Sequence, residues 1–169
     1  MQNLFSYPLT LEDLGSGTKS YHLQANHLQL KFIAEVLKVE RIESFDAQII
    51  LTFSRKNHRI DVKGIVNADV EQTSVISLEK FIKHYSPEFE LFFDTELTAA
   101  QLREMEFEFE DEGPDILENG QLDLAAIAME QLALALDDFP RKDGEVFSFA
   151  SEFDEDEAPK ENPFAVLAK

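Results

Sequence analysis

Six basic side chains in two short polar segments are the residues best suited to bind a charged partner. They are Arg55, Lys56, Arg59, Lys63, Arg141 and Lys142. Guanidinium and ammonium groups bind phosphate oxygens and carboxylates, so both segments are candidate contacts for RNA or for a protein. No aromatic residue interleaves with the first four cations, so stacking on RNA bases is not expected. Each segment also has a structural alternative. The tip of a hairpin is usually charged because it faces water, and the pair at 141–142 would offset local acidic charge or the negative carboxyl end of the preceding helix.

The chain lacks the residue patterns of common catalytic and metal sites. It has no Cys, which excludes disulfides, thiolate metal ligands and a thiol nucleophile, and none of its four His has a second His at metal-ligand spacing. There is no glycine-rich phosphate loop, no Gly-x-Ser-x-Gly and no His-Glu-x-x-His. We therefore expect a non-enzymatic protein with no catalytic residue, no metal and no cofactor. An enzyme of unknown type is the remaining alternative.

The acidic charge is concentrated in one half of the chain. The formal net charge is −19, yet residues 1–84 carry ten Asp/Glu and ten Lys/Arg. Residues 85–161 carry 24 Asp/Glu and four Lys/Arg, a balance of −20. Because nucleic-acid affinity comes largely from cations that neutralise phosphates, this half should repel RNA. It either serves solubility alone or attracts a basic protein partner.

Two strand runs and a polar turn form the clearest structural pattern. Residues 45–53 and 60–70 alternate apolar and polar side chains on either side of the polar segment 54–59, which predicts an antiparallel hairpin. Residues 75–83 and 88–93 continue the strand pattern beyond it. The sequence therefore predicts an antiparallel sheet, built as a meander or as an open, barrel-like sheet.

Two helices are predicted to pack on this sheet, which makes the fold class α+β. Asn26 precedes a helical pattern over about residues 27–38 and can cap it. Its predicted apolar face consists of Leu28, Phe32, Ile33, Val36 and Leu37. Asp123 can cap a second helix over about residues 124–136, which is apolar almost all round and therefore expected to be buried.

The last residues differ in composition from the rest. Residues 151–169 are expected to form a flexible acidic tail, which leaves 1–150 as a single domain. The tail ends in a short apolar motif with Pro163, Phe164, Val166 and Leu167. This motif would dock either on a partner or on its own domain.

No apolar run approaches the ~20 residues that a membrane span needs, and the first residues lack the basic start and apolar core of a signal peptide. We therefore expect a soluble, cytoplasmic protein with no membrane contact.

Three segments resemble the YceD family of large ribosomal RNA subunit accumulation proteins. They read GIVNADVEQTSVISLEKF from Gly64, PDILENGQLDLAAIAMEQLALALDDFPRKDG from Pro114, and NPFAVLA near the end. The resemblance implies a role in accumulation or processing of 23S ribosomal RNA and in large-subunit assembly, with no known catalytic residue. Ser74 occupies the position where the family often has Cys, so the metal-binding role suggested by the family's cysteines does not carry over.

The expected mechanism is binding. The acidic half and the apolar tail would engage a basic ribosomal protein or a large-subunit assembly intermediate on a neutral β-rich scaffold. Direct rRNA binding through the basic hairpin 55–63 is the alternative.

Overall fold

The computed structural model describes residues 2–104, 113–117 and 120–146 and confirms the predicted α+β fold class. The elements, in chain order, are β1 (Pro8–Thr10), α1 (Leu11–Leu14), β2 (Gly17–Gln24), α2 (His27–Leu37), β3 (Arg41–Ser54), β4 (Arg59–Thr73), β5 (Lys80–Tyr85), β6 (Glu88–Asp94), α3 (Ala99–Glu104), β7 (Asp115–Ile116), β8 (Gln121–Asp123) and α4 (Leu124–Ala135). The predicted strand at 75–83 begins only at Lys80, because Ser74 and Leu78 close a tight turn through a backbone hydrogen bond.

The main sheet is built around the long hairpin of β3 and β4. β2 pairs with the free side of β3, while β5 and β6 both pair antiparallel with the other side of β4. The registers Ala68↔Tyr85 and Ile65↔Glu88 place β5 and β6 on one line, as a single strand interrupted at Pro87. β7 adds a short parallel pair to β6, and β1 pairs with β8 in a separate two-stranded sheet.

One face of the main sheet carries the core, and we call it the inner face. Alternation places Ile49 and Leu51 of β3 beside Gly64 and Val62 of β4 on this face, and these three large side chains are buried. Both α2 and α4 contribute buried residues to the same core cluster. The opposite, outer face is not covered by a helix within the described part of the chain, as is common for antiparallel sheets.

Gly64 permits a close approach at the centre of the inner face. A Cβ atom at this position would lie 2.7 Å from the Phe89 ring and 2.8 Å from the Gln48 carbonyl oxygen. Since real Cβ atoms do not approach other atoms so closely, only glycine fits here without a shift of the neighbouring strands.

Helix α2 has the predicted amino-terminal cap but a narrower apolar face than predicted. The Asn26 side chain accepts from the Gln29 amide, and the Gln29 side chain accepts from the Asn26 amide. Phe32 and Ile33 are buried as predicted, whereas Leu28 is 66% exposed and Val36 is also exposed. The prediction was wrong for these two residues because the helix contacts the sheet along one narrow stripe only.

Helix α4 is capped as predicted but is not buried all round. The Asp123 side chain accepts from the amides of Ala125 and Ala126. Its sheet-facing side includes the buried Leu124 and Leu132, whereas Leu134 is 74% exposed. The prediction of complete burial was wrong because α4 covers one sheet face and has no second layer over it among the described residues.

No helix in the described ranges is long and apolar enough to cross a membrane. The predicted tail, 151–169, lies outside the described residues, so the predicted domain boundary at 150 stays a prediction.

Candidate binding surfaces

The predicted basic hairpin exists, but its cations contact groups of the same chain. The Arg59 Nε donates to Asp61 Oδ1 at 2.8 Å, and the Lys63 Nζ lies 3.0 Å from Glu90 Oε1. The Arg55 Nε donates to the Gly15 carbonyl oxygen at 3.3 Å. These contacts leave less positive potential at the tip than the sequence suggests.

Two aromatic rings lie against the hairpin, which sequence reasoning missed. The Arg59 guanidinium lies 4.2 Å from the centre of the Phe92 ring, and the Arg55 guanidinium lies 6.0 Å from that of Phe53. Phe92 is on β6 and pairs in register with Asp61, so only the strand pairing could have revealed its contact with Arg59. Lys56 makes no ion pair within the ranges that the structure describes.

The second basic segment lies at the other end of β4, far from the hairpin tip. Lys142 forms an ion pair with Glu79 in the connection between β4 and β5. Its backbone amide donates to Glu145 Oε2 at 3.1 Å, and Arg141 is exposed. Since β4 rises by ~3.3 Å per residue, the two basic segments are separated by up to roughly 45 Å. They do not form one surface.

Ser74 is a structural anchor rather than a reactive hydroxyl. It is 0% exposed, and its Oγ accepts from the amides of Ile76 and Ser77 at 3.2 Å each. The same hydroxyl donates to Glu145, and this hydrogen bond is the main reason why the pKa of Glu145 lies below its usual value. The bond ties the segment around Glu145 to the turn that precedes β5.

A second polar network fastens the end of α4 to β5. The buried Tyr85 hydroxyl donates to Gln72 Oε1 at 2.5 Å, and burial raises the pKa of Tyr85. The Lys83 Nζ donates to Asp137 Oδ2 at 2.5 Å, and this hydrogen bond raises the pKa of Lys83. Both networks border open depressions of the surface: Lys83, Asp137 and Glu145 line one of about 940 Å³, and Gln72 and Asp137 line another of about 700 Å³. No group of three or more potential metal ligands occurs in the described residues.

The outer face of the sheet contains an open trough of about 800 Å³. Strand register groups its central side chains into two adjacent rows. The rows are Ser20–Ile50–Lys63–Glu90 and His22–Gln48–Ile65–Glu88. Ile50 is 49% exposed at the middle of the first row. An isoleucine in the centre of a solvent-facing sheet is apolar surface without a covering partner among the described residues.

Carboxylates outnumber permanent cations around this trough. Register places seven carboxylates on the outer face of the described strands β3 to β6, at Asp46, Asp61, Asp69, Glu71, Glu88, Glu90 and Asp94. Four permanent cations lie on the same face of these described strands, at Arg41, Arg59, Lys63 and Lys80. His22 contacts Asp46, and His84 donates to Asp69 at 2.7 Å. The hydrogen bond from His84, with a second from Ser44, lowers the pKa of Asp69.

The candidate docking motif at Pro163, Phe164, Val166 and Leu167 lies outside the described residues, as do all carboxylates of 105–112 and 151–161. A family model described as "Large ribosomal RNA subunit accumulation protein YceD" matches residues 62–169. The match includes β5, β6 and α4 and begins after Arg55, Lys56 and Arg59. No curated protein and no solved structure matches the chain.

Proposed function

The chain belongs to the YceD family of large ribosomal RNA subunit accumulation proteins, and from this membership we propose that it acts by binding a basic ribosomal protein or a large-subunit assembly intermediate. The family description gives the role in accumulation of large-subunit rRNA. The proposed binding is non-enzymatic and takes place in the cytoplasm. There the bound ribosomal protein would be held until it binds rRNA.

The observation that carries the proposal is the charge of the family-matched half. Residues 85–161 have a balance of −20, and this whole range lies within the matched region. A surface of that sign attracts the Lys- and Arg-rich segments typical of rRNA-binding proteins and repels free RNA. It would keep such segments away from non-specific RNA contacts before assembly.

Two features of the structure support a binding role over catalysis. Ser74, the one fully buried hydroxyl side chain of the β4–β5 turn, is engaged by Glu145 and by two backbone amides. The Lys83 side chain is likewise engaged with Asp137 just after α4, and the Tyr85 hydroxyl is engaged with Gln72 of β4. These polar groups are therefore used for structure.

Direct rRNA binding is the second candidate, and the observation that favours it is that the guanidinium groups of Arg55 and Arg59 lie near the Phe53 and Phe92 rings. An arginine whose guanidinium is held near an aromatic ring is restricted in its rotamers and so partly preorganised for a phosphate. The contacts of Arg59 with Asp61 and of Lys63 with Glu90 weigh against it, because phosphate would have to displace a carboxylate.

The test is a binding titration of the purified chain against two probes, the total protein fraction of large ribosomal subunits and protein-free 23S rRNA. We expect binding to the protein fraction that weakens as salt rises from about 50 to 500 mM, and no saturable binding to rRNA. A variant with the carboxylates of 106–112 and 152–157 changed to amides should lose most of this affinity.

The matched control reverses charge at the hairpin through Arg55→Glu, Lys56→Glu and Arg59→Glu, which should leave protein binding intact. Binding of rRNA that this control abolishes would establish the second candidate instead. Retention of the same proteins at high salt would contradict charge as the driving force.

A further inference from the structure

The outer face of the sheet has the chemistry of a docking groove for an extended basic segment. Its floor is apolar, with Ile50 and Ile65 on adjacent strands and diagonal to each other in register. Its rim is anionic, with Glu88 and Glu90 along the neighbouring strand β6. Side chains of an extended segment alternate between two faces, so apolar residues can reach such a floor while the remaining residues stay near the rim.

We infer that this trough binds an extended segment of a ribosomal protein in which Lys or Arg alternates with aliphatic residues. The inference rests on the proposed function and assigns to it a site that the sequence did not indicate. Charge complementarity supports this occupant. The trough is lined by the carboxylates Glu88 and Glu90 and by one permanent cation, Lys63, and the outer face of the described strands β3 to β6 carries seven carboxylates against four permanent cations. The trough of about 800 Å³ is open to solvent along the outer face, which suits an extended chain lying across the sheet better than an enclosed small molecule.

Lys63 allows a basic protein segment to be distinguished from RNA as the ligand of the trough. It lies in the trough, and its ion pair with Glu90 occupies one carboxylate of the rim. A basic segment must compete with Lys63 for that carboxylate, so Lys63→Gln should increase affinity for the segment by about twofold to threefold, the effect expected for one exposed charge pair. For an RNA ligand the same change removes a phosphate contact and lowers affinity.

The experiment uses the full chain with labelled isoleucine methyl groups and a fluorescent peptide of about eight alternating Lys and Val residues, long enough to cross the central strands. We expect the peptide to shift the Ile50 and Ile65 methyl signals. Glu88→Gln with Glu90→Gln should weaken binding by about fivefold, as expected for two exposed charge pairs. Ile50→Thr with Ile65→Thr should weaken it while leaving the binding of an oligolysine of equal charge unchanged.

Two outcomes of the methyl-signal experiment overturn the inference, and a third comes from the large-subunit protein fraction. One is equal binding of oligolysine with no shift of either methyl signal. The other is a change of the Ile50 and Ile65 signals on Phe164→Ser in the absence of peptide, which would identify the chain's own tail as the occupant. If Ile50→Thr with Ile65→Thr still binds the large-subunit protein fraction normally, the trough is excluded and the proposed function stands. If the unaltered chain binds none of these proteins, the proposed function itself fails.

Discussion

Replacing Asp123 by alanine should destabilise the fold by about 2–3 kcal/mol. Three backbone amides, from Tyr7, Ala125 and Ala126, donate to its Oδ1 atom at 2.9–3.2 Å. The Ser6 hydroxyl donates to Oδ2 at 2.6 Å. Loss of the helix cap costs about 1 kcal/mol, and the two bonds from the amino-terminal segment add about 0.5–1 kcal/mol each because they are exposed to solvent.

The assay is urea unfolding followed by circular dichroism, with thermal unfolding as a second measure. The expected fall in Tm is about 4–12 °C for a chain of this size. Asp123→Asn keeps the Oδ1 acceptor and should recover more than half of the lost stability. Asp13→Ala, which removes the exposed capping box of the one-turn helix α1, is the matched control and should cost under about 1 kcal/mol. An alanine variant within about 0.5 kcal/mol of the unaltered protein would refute the reasoning, as would an asparagine variant equally destabilised.

Three further predictions concern the sheet. Gly64→Ala should lower the free energy of unfolding by about 1–3 kcal/mol in a urea titration, because the added methyl group has no room; an unchanged midpoint would contradict the packing. Tyr85→Phe should lower the free energy of unfolding by about 1–3 kcal/mol, because it leaves the buried side-chain oxygen Oε1 of Gln72 without a donor. Adding Gln72→Leu to this variant removes the unpaired oxygen and should restore part of the lost stability. The pKa of Asp69 lies below its usual 3.8, chiefly through the bond from His84. The stability that ionised Asp69 contributes is therefore present above about pH 4 and is lost as pH falls through the lowered pKa. The Tm of Asp69→Asn should consequently fall less steeply in acid than that of the unaltered protein, and equal slopes of Tm against pH would contradict this.

The local features of the fold were predictable because each depends on residues close in sequence. The hairpin of β3 and β4 follows from uninterrupted alternation on both sides of a polar turn, and the structure confirms it. The caps at Asn26 and Asp123 follow from short polar side chains placed directly before apolar helical patterns. The family resemblance also followed from contiguous segments, and the matching family model confirms it.

The features that the sequence did not predict depend on pairing between residues that are distant in sequence. Sequence spacing cannot tell that β5 and β6 share one edge of β4, and that arrangement alone brings Phe92 to Arg59. Leu28 fits a helical apolar face by spacing, but the width of the contacted stripe is set by the shape of the sheet. The outer trough was missed for the same reason, because Ile50 and Ile65 become neighbours only through register.

The pairing of β1 with β8 has a consequence for the nascent chain. Ser6 and Asp123, which are 117 residues apart, must meet before the amino-terminal segment is fixed. At about 5–20 residues per second, translation separates their synthesis by roughly 6–23 s. During that interval the hairpin of β3 and β4 can already form and offer the Phe45 ring to Phe5, whereas Leu9, buried in the finished protein, still lacks its partner Leu122. Strand β1 is therefore among the last elements to become paired, and its apolar side chain Leu9 is exposed to aggregation while the polypeptide is still being made.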